Sequence, residues 1–122
     1  MSVLLGLVRN WSEFRNDARD PRLRSLVLPV PPAEALALAA ETMSQRPRWK
    51  VRERNNSAGT LHLTHATRMW SFVDDVHLQF SSHPQGTRLS GRSQARVGFG
   101  DLGQNARNLL ELRAAVMAAI RA

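Results

Sequence analysis

From Phe72 to Phe80 the chain alternates: Phe72, Val76, Leu78 and Phe80 are apolar on even positions, and Asp75, His77 and Gln79 are polar on odd ones. This period of two marks a strand with one buried face. Asp74 falls on the apolar side. Beyond SSHPQG a second strand continues the parity, with Thr87, Leu89, Gly91, Ser93, Ala95 and Val97 small or apolar and Arg88, Ser90, Arg92, Gln94 and Arg96 polar. A four-residue loop, Ser82 to Gln85, is common in hairpins and pairs Ser81 with Gly86. That register sets Asp75 against Arg92 and Gln79 against Arg88 on the outer face, and Asp74 against Ser93 on the inner face.

Elsewhere the pattern changes period. Leu4, Leu7, Val8, Trp11 and Phe14 recur at helical spacing, which predicts a short amphipathic helix that packs on the domain. The polar stretch NDARDPRLR, broken by Pro21, is a connection. Leu26, Leu28 and Val30 form a short strand closed by proline. Pro31 and Pro32 then suit a helix start, and AEALALAAETMSQ puts Leu36, Ala39, Ala40 and Met43 on one face until Pro47. Trp49 and Val51 alternate with Lys50, Arg52 and Arg54 in a strand, NNSAG turns, and Thr60 to Arg68 follows with Leu61, Leu63 and His65 on one side. From Asp101 a helix of about twenty residues runs to the end, some 30 Å long. Asp101 and Gln104 stand at capping-box spacing.

These elements predict an α+β fold: a single antiparallel sheet of about five strands, with the long C-terminal helix and the shorter helix on one face. Residues 1–24 are expected to be the N-terminal helix and its connection, and 25–122 the single α+β domain. At 122 residues the chain can bury a core without staples. The absence of cysteine excludes disulfides, zinc–thiolate sites and thiol nucleophiles. The formal charge of +7 comes almost entirely from arginine, Lys50 being the single lysine. The arginines are spread along the chain without nucleic-acid motifs, so a solvated basic surface is expected and no specific nucleic acid. No stretch approaches the roughly 20 apolar residues of a membrane span. MSVLLGLVRNWSEF lacks the marks of a signal peptide, so membrane association is not expected and the compartment is read as cytoplasmic.

Three places could carry chemistry. RVGFGDLGQN sets Arg96, Gly98 and Gly100 before a helix start, where free N–H groups attract anions. Asp101 competes there as the N-cap, so a structural strand-to-helix turn is the plainer reading. Asp74, on an apolar face, must be paired, hydrogen-bonded or protonated, with Ser93 and an arginine such as Arg68 or Arg107 as candidate partners. Asp74 and Asp75 point to opposite faces and cannot act as an acid/base pair. The four histidines are too scattered for a metal site, although His65 could pair with Asp74. No metal or cofactor is expected.

FVDDV and RSQARVGFGDLGQNARN closely resemble a bacterial family also found in photosynthetic eukaryotes, domain-of-unknown-function family 1499. The family pattern falls on Phe72, Asp74, Asp75, Arg92, Ser93, Arg96, Gly98, Asp101, Gly103, Asn105 and Arg107, with Ala95 where the family has a second serine. The similarity spans roughly Leu26 to Val116. Many relatives look exported or lipid-anchored and carry a cysteine motif that this chain lacks, so the resemblance adds a periplasmic or envelope location as the alternative. It implies a fold and a set of residues, not an activity.

The expectation is a non-enzymatic module that binds a small anion or a protein partner through Arg92, Arg96, Asn105 and Arg107. Asp74, Asp75, Ser93, Gly98, Asp101 and Gly103 would form the supporting network. The alternatives are a hydrolase or lyase using Asp74 with His65, and a homo-oligomer built by sheet-edge or helix packing. An enzyme would show a pocket around a perturbed carboxylate; a binding module would show its arginines on an open face.

Overall fold

The computed structural model describes residues 25–66, 73–96 and 104–122, together with the backbone of 11–14. Six strands, β1 (Trp11–Phe14), β2 (Leu26–Leu28), β3 (Trp49–Asn55), β4 (Thr60–Ala66), β5 (Val73–His83) and β6 (Gly86–Ala95), form one sheet. The helices among the described residues are α1 (Pro32–Ser44) and α2 (Gln104–Arg121). Every pairing is antiparallel and the order is β1-β6-β5-β4-β3. β2 shares the β6 edge with β1: it pairs with Thr87 to Leu89, while β1 pairs with Gly91 to Gln94. Six strands therefore occupy five rows.

The expected α+β arrangement is present, with both helices on the inner face. Leu61 and Leu63 of β4, Val76, Leu78 and Phe80 of β5, and Leu89 of β6 are buried there. They meet Leu36, Ala39 and Met43 of α1 and Leu109, Leu112 and Val116 of α2 in one core. α1 begins where Pro31 and Pro32 permit, because an N–H in the first turn would find no partner within the helix and proline has none to leave unsatisfied. Arg48, in the left-handed region with φ 70°, turns the chain into β3.

Two expectations are corrected. Trp11–Phe14 is a strand rather than the end of a helix. A short isolated helix is marginal in water, whereas the β6 edge offers these residues backbone partners along one side. Residues 1–10 lie outside the described residues.

The second correction concerns the central hairpin, whose loop has two residues, Pro84 and Gln85, so that His83 pairs with Gly86. Asp75 consequently faces Gln94 rather than Arg92, Gln79 faces Ser90 rather than Arg88, and Asp74 faces Ala95 rather than Ser93. The displacement is two residues and the side-chain period is also two, so every residue keeps its expected face. Ser82 and His83 extend the ladder because the turn is fastened locally: the Gln85 N–H donates to His83 Nδ1 at 3.1 Å. Gly86, at φ +136°, lies so close to β2 that a Cβ there would collide with the Leu28 carbonyl. Thr87 Oγ1 adds a 2.7 Å bond to the Val30 carbonyl.

Gly86→Ala should therefore loosen β2 and lower stability by at least about 1 kcal/mol in urea denaturation, with Gln85→Ala close to neutral.

Candidate functional site

Because alternate residues of a strand face opposite ways, β5 divides its polar side chains between two places. On the inner face Asp74, Ser93, Asn105, Asn108 and His65 are all buried. Asn108 Nδ2 donates to Asp74 Oδ2 at 2.8 Å and lies 3.3 Å from Ser93 Oγ. Ser93 Oγ donates to Asn105 Oδ1 at 2.6 Å. Gln104 Nε2 donates to Asn108 Oδ1 at 2.7 Å and accepts, through Oε1, from Arg107 Nη2 at 3.0 Å. The first turns of α2 are thus bolted to β5 and β6 through side-chain amides. Ser93 gives its proton to Asn105 rather than to Asp74, and Arg107 spends a donor on Gln104.

His65 stands directly across from Asp74 in the ladder. Its Nδ1 is 4.0 Å from Asp74 Oδ2, too far for a hydrogen bond, and has no hydrogen-bond partner among the described residues. The ring meets Trp49 edge-on at 5.0 Å. Burial pushes the His65 pKa below the usual imidazole range; Glu111 opposes this and Arg48 adds to it.

The outer face centres on Asp75. Arg96 grips its carboxylate with two bonds, Nε to Oδ2 at 2.9 Å and Nη2 to Oδ1 at 3.1 Å, and His62 Nε2 lies 2.8 Å from Oδ1. The Arg96 hydrogen bond holds the Asp75 pKa below the ordinary carboxylate value against partial desolvation, and His62 helps. An ionised carboxylate can only accept, so His62 carries its proton on Nε2 and, when neutral, leaves Nδ1 as an acceptor.

The His62 ring stacks on His77, centroids 4.3 Å apart and planes 8° from parallel. Desolvation lowers the His77 pKa, as do His62 and Arg92, while Asp75 and Glu53 oppose them. These groups share a row: Glu53 is opposite His62, His62 opposite His77, and His77 opposite Arg92, across β3, β4, β5 and β6. The row reaches this alignment through a bulge between Val51 and Glu53. It crosses an open groove of about 480 Å³ whose lining also includes Thr60 and Gln79.

The residues singled out from the sequence are therefore separated by the thickness of the sheet. Arg92 and Arg96 are exposed on the outer face, Asn105 is buried on the inner one, and Arg107 is exposed on α2. Asp75 pairs with Arg96, not Arg92. Gly98, Asp101 and Gly103, with the expected turn and capping box, lie outside the described residues, as does Arg68. Sequence reasoning missed Asn108 and the His62, His77 and Glu53 row. Asn108 was signalled by its place three residues after Asn105 on the stripe that includes Leu109 and Leu112. The row needed the register between strands.

Among the described residues no three His, Asp or Glu side chains are grouped to hold a metal ion. No helix among them is long and apolar enough to cross a membrane.

Residues 9–116 match the sequence profile of the family described as "Protein of unknown function (DUF1499)". No curated protein matches the chain. The crystal structure of protein CV1439 from Chromobacterium violaceum aligns over 93% of this chain and 99% of that one, at 9% identity and a TM-score of 0.49.

Two predictions follow from the division between faces. Asn108→Ala should cost about 2–3 kcal/mol, because it deprives a buried carboxylate of a donor. Arg96→Ala, breaking a pair half open to solvent, should cost clearly less than Asn108→Ala in the same denaturation assay. The second prediction concerns pH. The fold holds His65 and His77 below their unfolded value of 6.5, so the unfolded chain takes up protons first as pH falls. Stability should decline below about pH 6.5 until the folded groups titrate, by at most about 1.4 kcal/mol per pH unit for each histidine. His65→Phe should flatten that decline in melts between pH 7 and 5.

Proposed function

Since the chain belongs to the DUF1499 family, whose description names no activity, we propose from the geometry that the outer sheet face binds a small anionic ligand at Arg92. The observation that carries this reading is the position of Arg92: exposed on the face opposite both helices, beside a preassembled histidine pair, and lining an open groove. A guanidinium offers a planar set of donors suited to carboxylate or phosphate. His77, its neighbour in the row, supplies ring nitrogens within the same groove. Arg96 has a positioning role: it fixes Asp75, and Asp75 orients the His62 ring on which His77 stacks.

The two other readings have less support. Asp74 and His65 are buried on the inner face and do not line this groove, so nothing among the described residues favours a hydrolase or lyase built on them. An oligomer held by an apolar patch lacks that patch among the described residues, where Val27 is the one large apolar side chain exposed.

A thermal-shift titration with phosphate, acetate, succinate and citrate tests the proposal. An anion held at Arg92 should raise Tm with concentration, and the shift should vanish in Arg92→Ala while persisting in Arg107→Ala. An unchanged Tm with every anion, or an equal shift in Arg92→Ala, would overturn it.

A further inference from the structure

His62 and His77 stand opposite one another on β4 and β5, which sets their Cβ atoms about 5 Å apart on the same face of the sheet. Their rings stack with centroids 4.3 Å apart and line the open groove. Nothing in their sequence spacing announces the pair; the register of the two strands makes it.

The two rings are held differently. His62 gives its Nε2 proton to Asp75 at 2.8 Å, and Asp75 is itself fixed by two bonds from Arg96. The ring so tied keeps a lone pair on Nδ1, on the side away from the carboxylate. This is the arrangement in which histidine serves best as a metal ligand, because a carboxylate behind the ring sets its tautomer and orientation and makes the free nitrogen more basic. His77 is exposed and rests against His62, so it is the ring with room to turn. Two nitrogens side by side on one ion, each at about 2.0 Å, are roughly 3 Å apart. The stacked rings are already little farther apart than that.

Among the described residues no group of three ligands forms, which narrows the choice of ion. Zinc sites take three or four protein ligands, and calcium and magnesium take oxygens. Copper(II) suits imidazole, stands highest in the affinity order of divalent first-row ions, and accepts a tetragonal arrangement whose other positions water can fill. The charges that act at His77 are of both signs, Asp75 and Glu53 against Arg92, and the register sets Glu13 of β1 opposite Arg92. No one-signed field bars a cation.

We propose that His62 and His77 together form a copper(II) site on the open face of the sheet, with His62 Nδ1 and a ring nitrogen of His77 as its two protein ligands. Asp75 and Arg96 are positioning residues. The remaining positions of the ion stay open to water or to a small ligand in the groove. Arg92 takes no part, so this site stands or falls apart from the anion reading.

Calorimetric titration of the whole chain with copper(II) chloride in a non-coordinating buffer tests this, together with pulsed electron paramagnetic resonance of the complex. One ion should bind, and its spectrum should show two coordinated imidazoles. His77→Gln and His62→Gln should each weaken binding at least about tenfold, since the second ligand acts at high effective concentration, and should leave a single-imidazole signal. Asp75→Asn should weaken it about 10–100-fold with both imidazoles retained, the signature of a group acting through His62. Zinc chloride should bind more weakly than copper. His83→Gln, which removes a histidine at the hairpin turn, and Arg92→Gln should keep the wild-type affinity. None of these side chains belongs to the buried core, and circular dichroism melts confirm that each variant folds.

A single-imidazole spectrum in the wild type, or an affinity unchanged in His77→Gln, would overturn the site. So would loss of binding in His83→Gln.

Discussion

A strand cannot present two consecutive side chains to the same face, and β5 carries Asp74 and Asp75 in succession. Each carboxylate therefore has to be accommodated by different neighbours in a different dielectric. Asp74 points into the core, where a charge without partners would cost several kcal/mol, and Asn108 reaches it from α2. Asp75 points to the open side, where Arg96 and His62 converge on it. One dipeptide thus decides where the C-terminal helix seats and where the outer polar cluster forms. The amides that secure α2 and the ion pair that orders the histidines are two answers to the same constraint.

The energetic weights of the two sides differ. The inner network exchanges hydrogen bonds out of reach of water, so each donor removed leaves an acceptor that solvent cannot satisfy. The outer cluster is partly wet, and Arg96 is half exposed. Its bonds do less for stability and more for orientation, since they fix which His62 nitrogen faces the carboxylate and how the ring stacks on His77. A strong seam on one face leaves the other face at liberty to carry chemistry that contributes little to holding the fold together.

Much of the architecture was legible in the residues because alternation survives errors of register. Reading Ser82 and His83 as loop moved the pairing by two positions, yet Asp74, Ser93, Asp75 and Arg92 kept their faces. The core of α1 was legible for a similar reason: Leu36, Ala39, Ala40 and Met43 repeat on one side of a segment rich in helix formers. Trp11 and Phe14 misled because a three-residue interval fits a helix, while the decisive influence is a distant strand edge. The histidine row was illegible without coordinates. His62 and His77 are far apart in sequence, and a pairing of β4 with β5 displaced by two would set His62 against Asp75 or Gln79. Asn108 required knowing that its helix stripe lies over Asp74, a fact of docking rather than of periodicity.

The two sides of the sheet end in different ways. Along β6 the backbone is covered by two short strands from separate parts of the chain, β2 and then β1. At the opposite side β3 is interrupted by a bulge after Val51 and carries Lys50, Arg52, Glu53 and Arg54. Broken, bulged and charged edges are poor templates for another strand. Lateral growth by main-chain pairing is discouraged in both directions, which protects a β-rich domain against fibre-like association. The broad outer face of the sheet is built from side chains that take no part in the ladder, so its residues can be exchanged one at a time without disturbing the backbone pairing underneath.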